Sequence, residues 1–202
     1  MSGLCKLLSR RSHDFRHIPA FTIVEILVVL AIILILAGLV LAASNYVRNK
    51  GARSRAEAEI AAISAALENY KADNGVYPSD ASVNAQTAFN PTSYQAASLT
   101  LYKAISGDAD NDANRIVEGK SYMTFKPSQL APSGQNQAVT FIKDPFGNSY
   151  GYSTKNATDV AAGTIPPGGY NPTFDLWSTA NYLPPSLPTP TPTPQTFWIK
   201  NW

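Results

Sequence analysis

Two hydrophobic patterns divide the chain. Ile26 to Ala43 runs for eighteen residues without a charge or a proline, and charges cluster before and after it. A bilayer core about 30 Å thick needs roughly 20 helical residues. Phe21 to Ala43 supplies twenty-three, interrupted only by Thr22 and Glu25, with Gly38 as the only poor helix former. A small soluble domain would have to cover such a rod on every side, so the pattern predicts a membrane-spanning helix over 21–43. A cleavable secretory signal has a shorter apolar core that ends in small residues. Ala42, Ala43 and Ser44 keep that alternative open, with a cut after Ala43.

Beyond the span the pattern changes period without breaking. Ile60, Ile63, Leu67 and Tyr70 fall three and four residues apart, one apolar stripe on a helix whose Ala56, Ala58, Ala61, Ala62, Ala65 and Ala66 raise its propensity. Arg53, Arg55, Glu57 and Glu59 supply the solvated face, and Asn74-Gly75 with Pro78 beyond supplies the stop. The expected helix covers Phe21 to Asp73, roughly 80 Å at 1.5 Å per residue, and its stripe is packing rather than a site.

A head is expected over 76–183. Leu99 to Ile105 reads as a short helical turn. Tyr122 to Phe125, Ala138 to Ile142, Ser149 to Ser153 and Thr173 to Trp177 read as strands, with a turn at Asp144-Pro145-Phe146-Gly147-Asn148. The fold class is α+β: a long N-terminal helix, its first half transmembrane, carrying a small antiparallel sheet. Six prolines between Pro184 and Pro194 predict an extended spacer. Phe197, Trp198, Ile199 and Trp202 behind it are too apolar for a free tail, so they are expected to dock on the head or on a neighbour.

Composition narrows the chemistry. Lys6, Arg10, Arg11 and Arg16 against Asp14 give residues 1–20 a charge of +3, which leaves −1 for the rest of a chain whose total is +2. A near-neutral head without a basic stripe gives no reason to expect nucleic-acid binding. The single cysteine, Cys5, and both histidines, His13 and His17, lie in that basic leader. A chain that has lost the leader would have no thiolate, no imidazole, no disulfide and no Ser–His or zinc constellation, so no enzyme activity is expected. Cys5 lacks the preceding apolar run of a lipoprotein signal. Asp108, Asp110 and Asp112 alternate in a way that invites calcium, but an EF-hand spacing would want Gly at 113 and Glu at 119, and Ala113 and Gly119 stand there. A solvated polar loop is the better reading, and no metal or other cofactor is expected.

The span's orientation does not follow from charge. Four basic residues precede it, and Arg48, Lys50, Arg53 and Arg55 follow, so the positive-inside count is a draw. The shortness of the leader, and the need to place a whole domain on the far side, favour a cytoplasmic N-terminus. Glu25 is the odd residue. A carboxylate inside the apolar region costs on the order of 2.5–3.5 kcal/mol on insertion scales and usually marks a functional partner, unless it sits close enough to the interface to reach water.

Ala20-Phe21-Thr22-Ile23-Val24-Glu25-Ile26-Leu27-Val28-Val29 resembles the type IV prepilin signal, in which a small residue precedes Phe and Glu follows four residues later. Where that family usually has Gly, this chain has Ala20. The resemblance implies a prepilin peptidase cutting Ala20–Phe21 on the cytoplasmic side, removal of residues 1–20, N-methylation of Phe21, and Glu25 as the filament-assembly residue. Leu67 to Pro78, the run from Asp144 to Tyr152, and Phe174-Asp175-Leu176-Trp177-Ser178 are similar to the major pseudopilins of type II secretion. That similarity implies a pilin-like structural subunit in the bacterial inner membrane, with one pass and a periplasmic head. Its partners would be other copies of itself, related pseudopilins and an inner-membrane assembly platform, within a filament in the periplasm or at the cell surface. The family's helix usually has a proline kink, whereas this span has none, so any melting during assembly would fall to Gly38 or Gly51. The family's calcium loop would follow Leu176-Trp177-Ser178, where Thr179 to Pro185 has no carboxylate, so that site is not carried over. A type IV pilus subunit is the alternative within the class. A binding module on a plain signal anchor is the alternative outside it, and an anchored carbohydrate-active enzyme would need an acidic cleft the sequence does not locate.

Overall fold

The computed structural model describes residues 22–85, 91–134, 136–181 and 197–202. The chain divides into two compact units with the boundary between Tyr46 and Val47. One helix, α1, runs from Ile23 to Asn74 without interruption at Gly38 or Gly51. Thr22 starts it: its hydroxyl and its carbonyl both accept the Glu25 N–H, at 3.2 and 3.1 Å. Gly75 ends it with φ of +78°, where its N–H reaches the Lys71 carbonyl at 2.7 Å, the left-handed cap that glycine adopts at no steric cost.

In the first unit, every large apolar side chain described from Ile23 to Leu41 is at least 48% exposed, so the helix finds no cover among the described residues. It is long and apolar enough to cross a membrane.

In the second unit, the outer half of α1 becomes a core element. Ala56, Ile60, Ile63, Ala66 and Leu67 are buried, the spacing the sequence stripe requires, while Tyr70 is half-buried and meets Tyr122 edge-on at 5.4 Å. Each fully buried Ile or Leu contributes about 1.5–3 kcal/mol relative to exposure. Helix α2, Gln95–Ser106, buries Ala97, Leu101, Tyr102 and Ile105 against the same core. It is longer than the expected turn because the apolar spacing 97, 101, 105 starts earlier.

The strands are short and form two antiparallel sheets rather than one. β1 (Leu130–Ala131) pairs with β2 (Phe141–Ile142), and β3 (Gly151–Ser153) with β4 (Asp175–Ser178), which pairs in turn with β5 (Ile199–Lys200). The turn at 144–148 is present, bridged by Lys143 opposite Ser149. A third helix, α3, occupies Lys155–Ala161. Tyr122 to Phe125 is not a strand. The amides of Tyr122 and Met123 instead donate to the Ile105 carbonyl at the end of α2, at 2.9 and 3.0 Å, which satisfies that helix terminus while the side chains pack on the core.

Two tyrosines fix the sheet to the rest of the head. Tyr150, fully buried, donates to Glu59 Oε2 at 2.7 Å, and Tyr152 donates to the Pro78 carbonyl at 2.8 Å. Burial pushes both phenols up, and the Glu59 carboxylate adds to that at Tyr150.

Candidate functional site

Of the three residues singled out by the resemblance, Ala20 and Phe21 lie outside the described residues. Glu25 is described, exposed, and third in the first turn of α1. Thr22-Ile23-Val24-Glu25 is the spacing of a capping box, and the Thr22 half of it is formed. An acidic side chain at this position also faces the positive end of the helix dipole. Glu25 is the only acidic or basic residue between Thr22 and Val47, and no described cation of this chain pairs with it. A carboxylate placed so can stabilise its own helix start, and it can accept a cation brought by another chain.

After the span, Arg48, Lys50 and Arg55 are exposed, whereas Arg53 donates to the Phe197 carbonyl at 3.0 Å.

Most of the described aspartates of the head build its loops. Asp108 is buried, not solvated as expected: Oδ2 accepts from the Tyr102 hydroxyl at 2.7 Å and Oδ1 from the Asn111 N–H at 2.9 Å. Asp110 accepts the Asp112 N–H, and Asp112 accepts the amides of Asn114 and Arg115. The three therefore turn to their own backbone. Among the described residues no three His, Cys, Asp or Glu form a group that could hold a metal. Beside them, a cleft of about 330 Å³ includes Asp108 and Arg115, but Arg115 is bonded to the carbonyls of Pro132 and Gln137.

The position where the pseudopilin resemblance would place calcium is likewise committed. Asn181 accepts from the Asn148 side chain at 2.9 Å. The nearby Asp144 takes the Phe146 and Asn148 amides on Oδ1 and the Ser178 hydroxyl on Oδ2 at 2.5 Å. Thr179, Ala180 and Asn181 add no carboxylate, so the residues present do not fit that ion. Asp175 is used in the same way, accepting the Tyr170 and Asn171 amides.

Burial pushes the Asp144 carboxyl above the ordinary carboxylate value, against the opposing pull of Ser178 and the turn amides. Two results are expected. Asp144→Ala strips the acceptor from the turn and costs about 1–3 kcal/mol, whereas Asp144→Asn keeps one acceptor and costs less. Because the folded-state pKa is raised, the contribution of Asp144 is fullest below its unfolded value and is lost as pH rises through the folded one. Wild type should therefore gain stability relative to Asp144→Asn as pH falls through the weakly acidic range. Thermal midpoints of the solubilised chains across that range check this; a gap that widens against wild type on acidification would be the contrary result.

Sequence reasoning expected Phe197, Trp198, Ile199 and Trp202 to dock but missed the strand at Ile199–Lys200 through which they do so. The pointer was present in Trp198 and Trp202 on an otherwise polar tail, but Gly151, whose missing side chain makes room for Trp177, is visible only once the sheet register is known.

No family model, no curated protein and no solved structure matches this chain.

Proposed function

We propose that this chain is a prepilin-like structural subunit. It is cut between Ala20 and Phe21 by a prepilin peptidase, methylated at Phe21, and polymerised through α1 into the pseudopilus of a type II secretion system. The observation that carries the reading is an apolar helix with no cover among the described residues and a lone carboxylate in its first turn. Helices of that kind lose little by packing on each other in lipid. A buried Glu25 then needs a cation, and the free amine at Phe21 of an adjacent copy is the one the cut creates. The head is a passenger that α1 grips through Ile60, Ile63 and Leu67, and its Asp108, Asp144 and Asp175 carboxylates hold loops. By this reading the unprocessed chain sits in the bacterial inner membrane with the head in the periplasm. It works with other copies, related pseudopilins and an assembly platform, and catalyses nothing.

A type IV pilus subunit is the second reading. It is favoured by the lack of a calcium-fitting loop after Ser178 and by the added Pro-rich segment. A plain anchored binding module would need neither Glu25 nor the cut. The mass and N-terminal sequence of the chain recovered from membranes separate these. A chain beginning at methylated Phe21 is expected; one beginning at Met1, or cut after Ala43, would discard filament assembly.

A further inference from the structure

The last six residues carry a complete docking set. β5 pairs with β4 so that Trp177 faces Lys200 and Ser178 faces Ile199. Asn201 prolongs the ladder: its N–H donates to the Leu176 carbonyl at 3.2 Å, and its side-chain oxygen accepts the Leu176 N–H at 2.9 Å. Its side-chain nitrogen donates to the Phe174 carbonyl at 3.2 Å. Ile199 enters the main core, and Trp198, 6% exposed, stacks parallel to Trp177 at 5.9 Å. Trp202 stacks on Tyr170 at 4.6 Å under the Lys200 ammonium, 4.9 Å above its ring. Arg53 holds the Phe197 carbonyl. Apart from Lys200, which belongs to the segment, these partners lie on the outer half of α1 and in the body of the head, so the contacts that recognise the segment do not depend on the connection that delivers it.

That connection is out of proportion to the register it serves. Ser178 and Ile199 face each other across the ladder, a separation a two-residue turn closes. Twenty residues stand between them instead, with six prolines in 184–194. Proline-rich sequence favours an extended, semi-rigid spacer over a doubled-back loop. The sixteen peptide steps from Asn181 to Phe197 reach about 50 Å when extended. A strand on such a spacer makes the same contacts in its own groove or in a neighbour's, so exchange costs little in contact energy. Effective concentration then decides, and copies held side by side raise it.

We propose that residues 197–202 are an exchangeable strand that occupies the β4 groove of a second copy of this chain once copies are packed together. The proposal rests on the filament reading above. Each copy gives its strand to one neighbour and receives another's, a head-to-tail contact that propagates without closing. The heads are then tied by main-chain hydrogen bonds as well as by their helices.

Thiol cross-linking in membranes tests it, with the full chain in a Cys5→Ser background. One population carries Arg53→Cys in the groove and the other Phe197→Cys on the strand; the two are co-expressed and treated with a short bismaleimide. Leu34→Cys, on the exposed span, reports helix packing separately under oxidation. A covalent dimer joining the two populations, absent when either is expressed alone, is the expected result. The proposal is overturned if the mixture stays monomeric while the double variant Arg53→Cys/Phe197→Cys closes within one chain. Dimers through Leu34→Cys alongside that failure would sink exchange alone. Their absence as well would remove the filament reading and exchange with it.

Discussion

Replacing Glu25 with alanine is expected to leave membrane insertion intact while incorporation into filaments falls at least about tenfold, which corresponds to a loss of roughly 1.4 kcal/mol per subunit. Insertion should not suffer, because a carboxylate in the apolar region is a cost of about 2.5–3.5 kcal/mol that alanine removes. Assembly should suffer, because Glu25 is the only side chain between Thr22 and Val47 able to balance a cation. The local role of Glu25 must be separated from that. Thr22 caps the Glu25 N–H, and an acid in the first turn stabilises the helix by about 0.3–1 kcal/mol. Glu25→Gln keeps a capping-box residue without the charge, so a defect shared by Ala and Gln belongs to the charge and one seen only in Ala to the helix start. The measurement is the fraction of chain recovered in sheared filaments against the fraction left in membranes. Wild-type incorporation of Glu25→Ala would remove the assigned role.

How much of this was legible in the sequence follows from the range of the forces involved. The long apolar helix and its stripe were legible because helix propensity and helical period act on neighbouring residues; α1 was expected over Phe21–Asp73 and is described over Ile23–Asn74. Gly75 marked the stop for the same local reason. The head was legible only in outline. Its strands are two to four residues long, too short for alternation to register. Its loops are built by carboxylates that reach backbone amides, as Asp144 and Asp175 do. Composition assigned Asp108 to a solvated loop, since acidic runs usually stay exposed; the structure buries it, and Tyr102, six residues earlier, donates to it. Tyr122 to Phe125 had the residue types of a strand, yet the free carbonyl at the end of α2 claimed its amides. The place of Glu25 in the first turn of α1 was legible and the β4 groove was not, because the groove combines Arg53, Tyr94 and Trp177 from three distant stretches of chain.

That groove also sets the largest expected stability effect. Gly151 lies opposite Trp177, and a Cβ added to it would fall 2.1–2.5 Å from the indole atoms Cε2, Cζ2 and Nε1. An isolated ring would swing away at small cost. This ring is held: Trp198 stacks on it, and Tyr94 at 5.2 Å and Trp202 at 5.9 Å meet it edge-on. Laying an aromatic ring over a glycine on the facing strand is a recognised way to stabilise a sheet that glycine would otherwise weaken. Gly151→Val should therefore destabilise the head by about 3 kcal/mol even though valine is the better strand former, because overpacking outweighs propensity here. A domain of this size should lose roughly 6–12 °C of thermal midpoint. Displacing Trp177 also removes the surface on which Trp198 stacks, so tryptophan emission should shift to the red together with the loss of stability. Gly151→Ala/Trp177→Ala, which vacates the contested space, should be less destabilised than the sum of the two single changes, the coupling that a double-mutant cycle reads. A Gly151→Val chain with an unchanged midpoint and unchanged emission would show that the ring is free to move, and that the tail is not anchored through it.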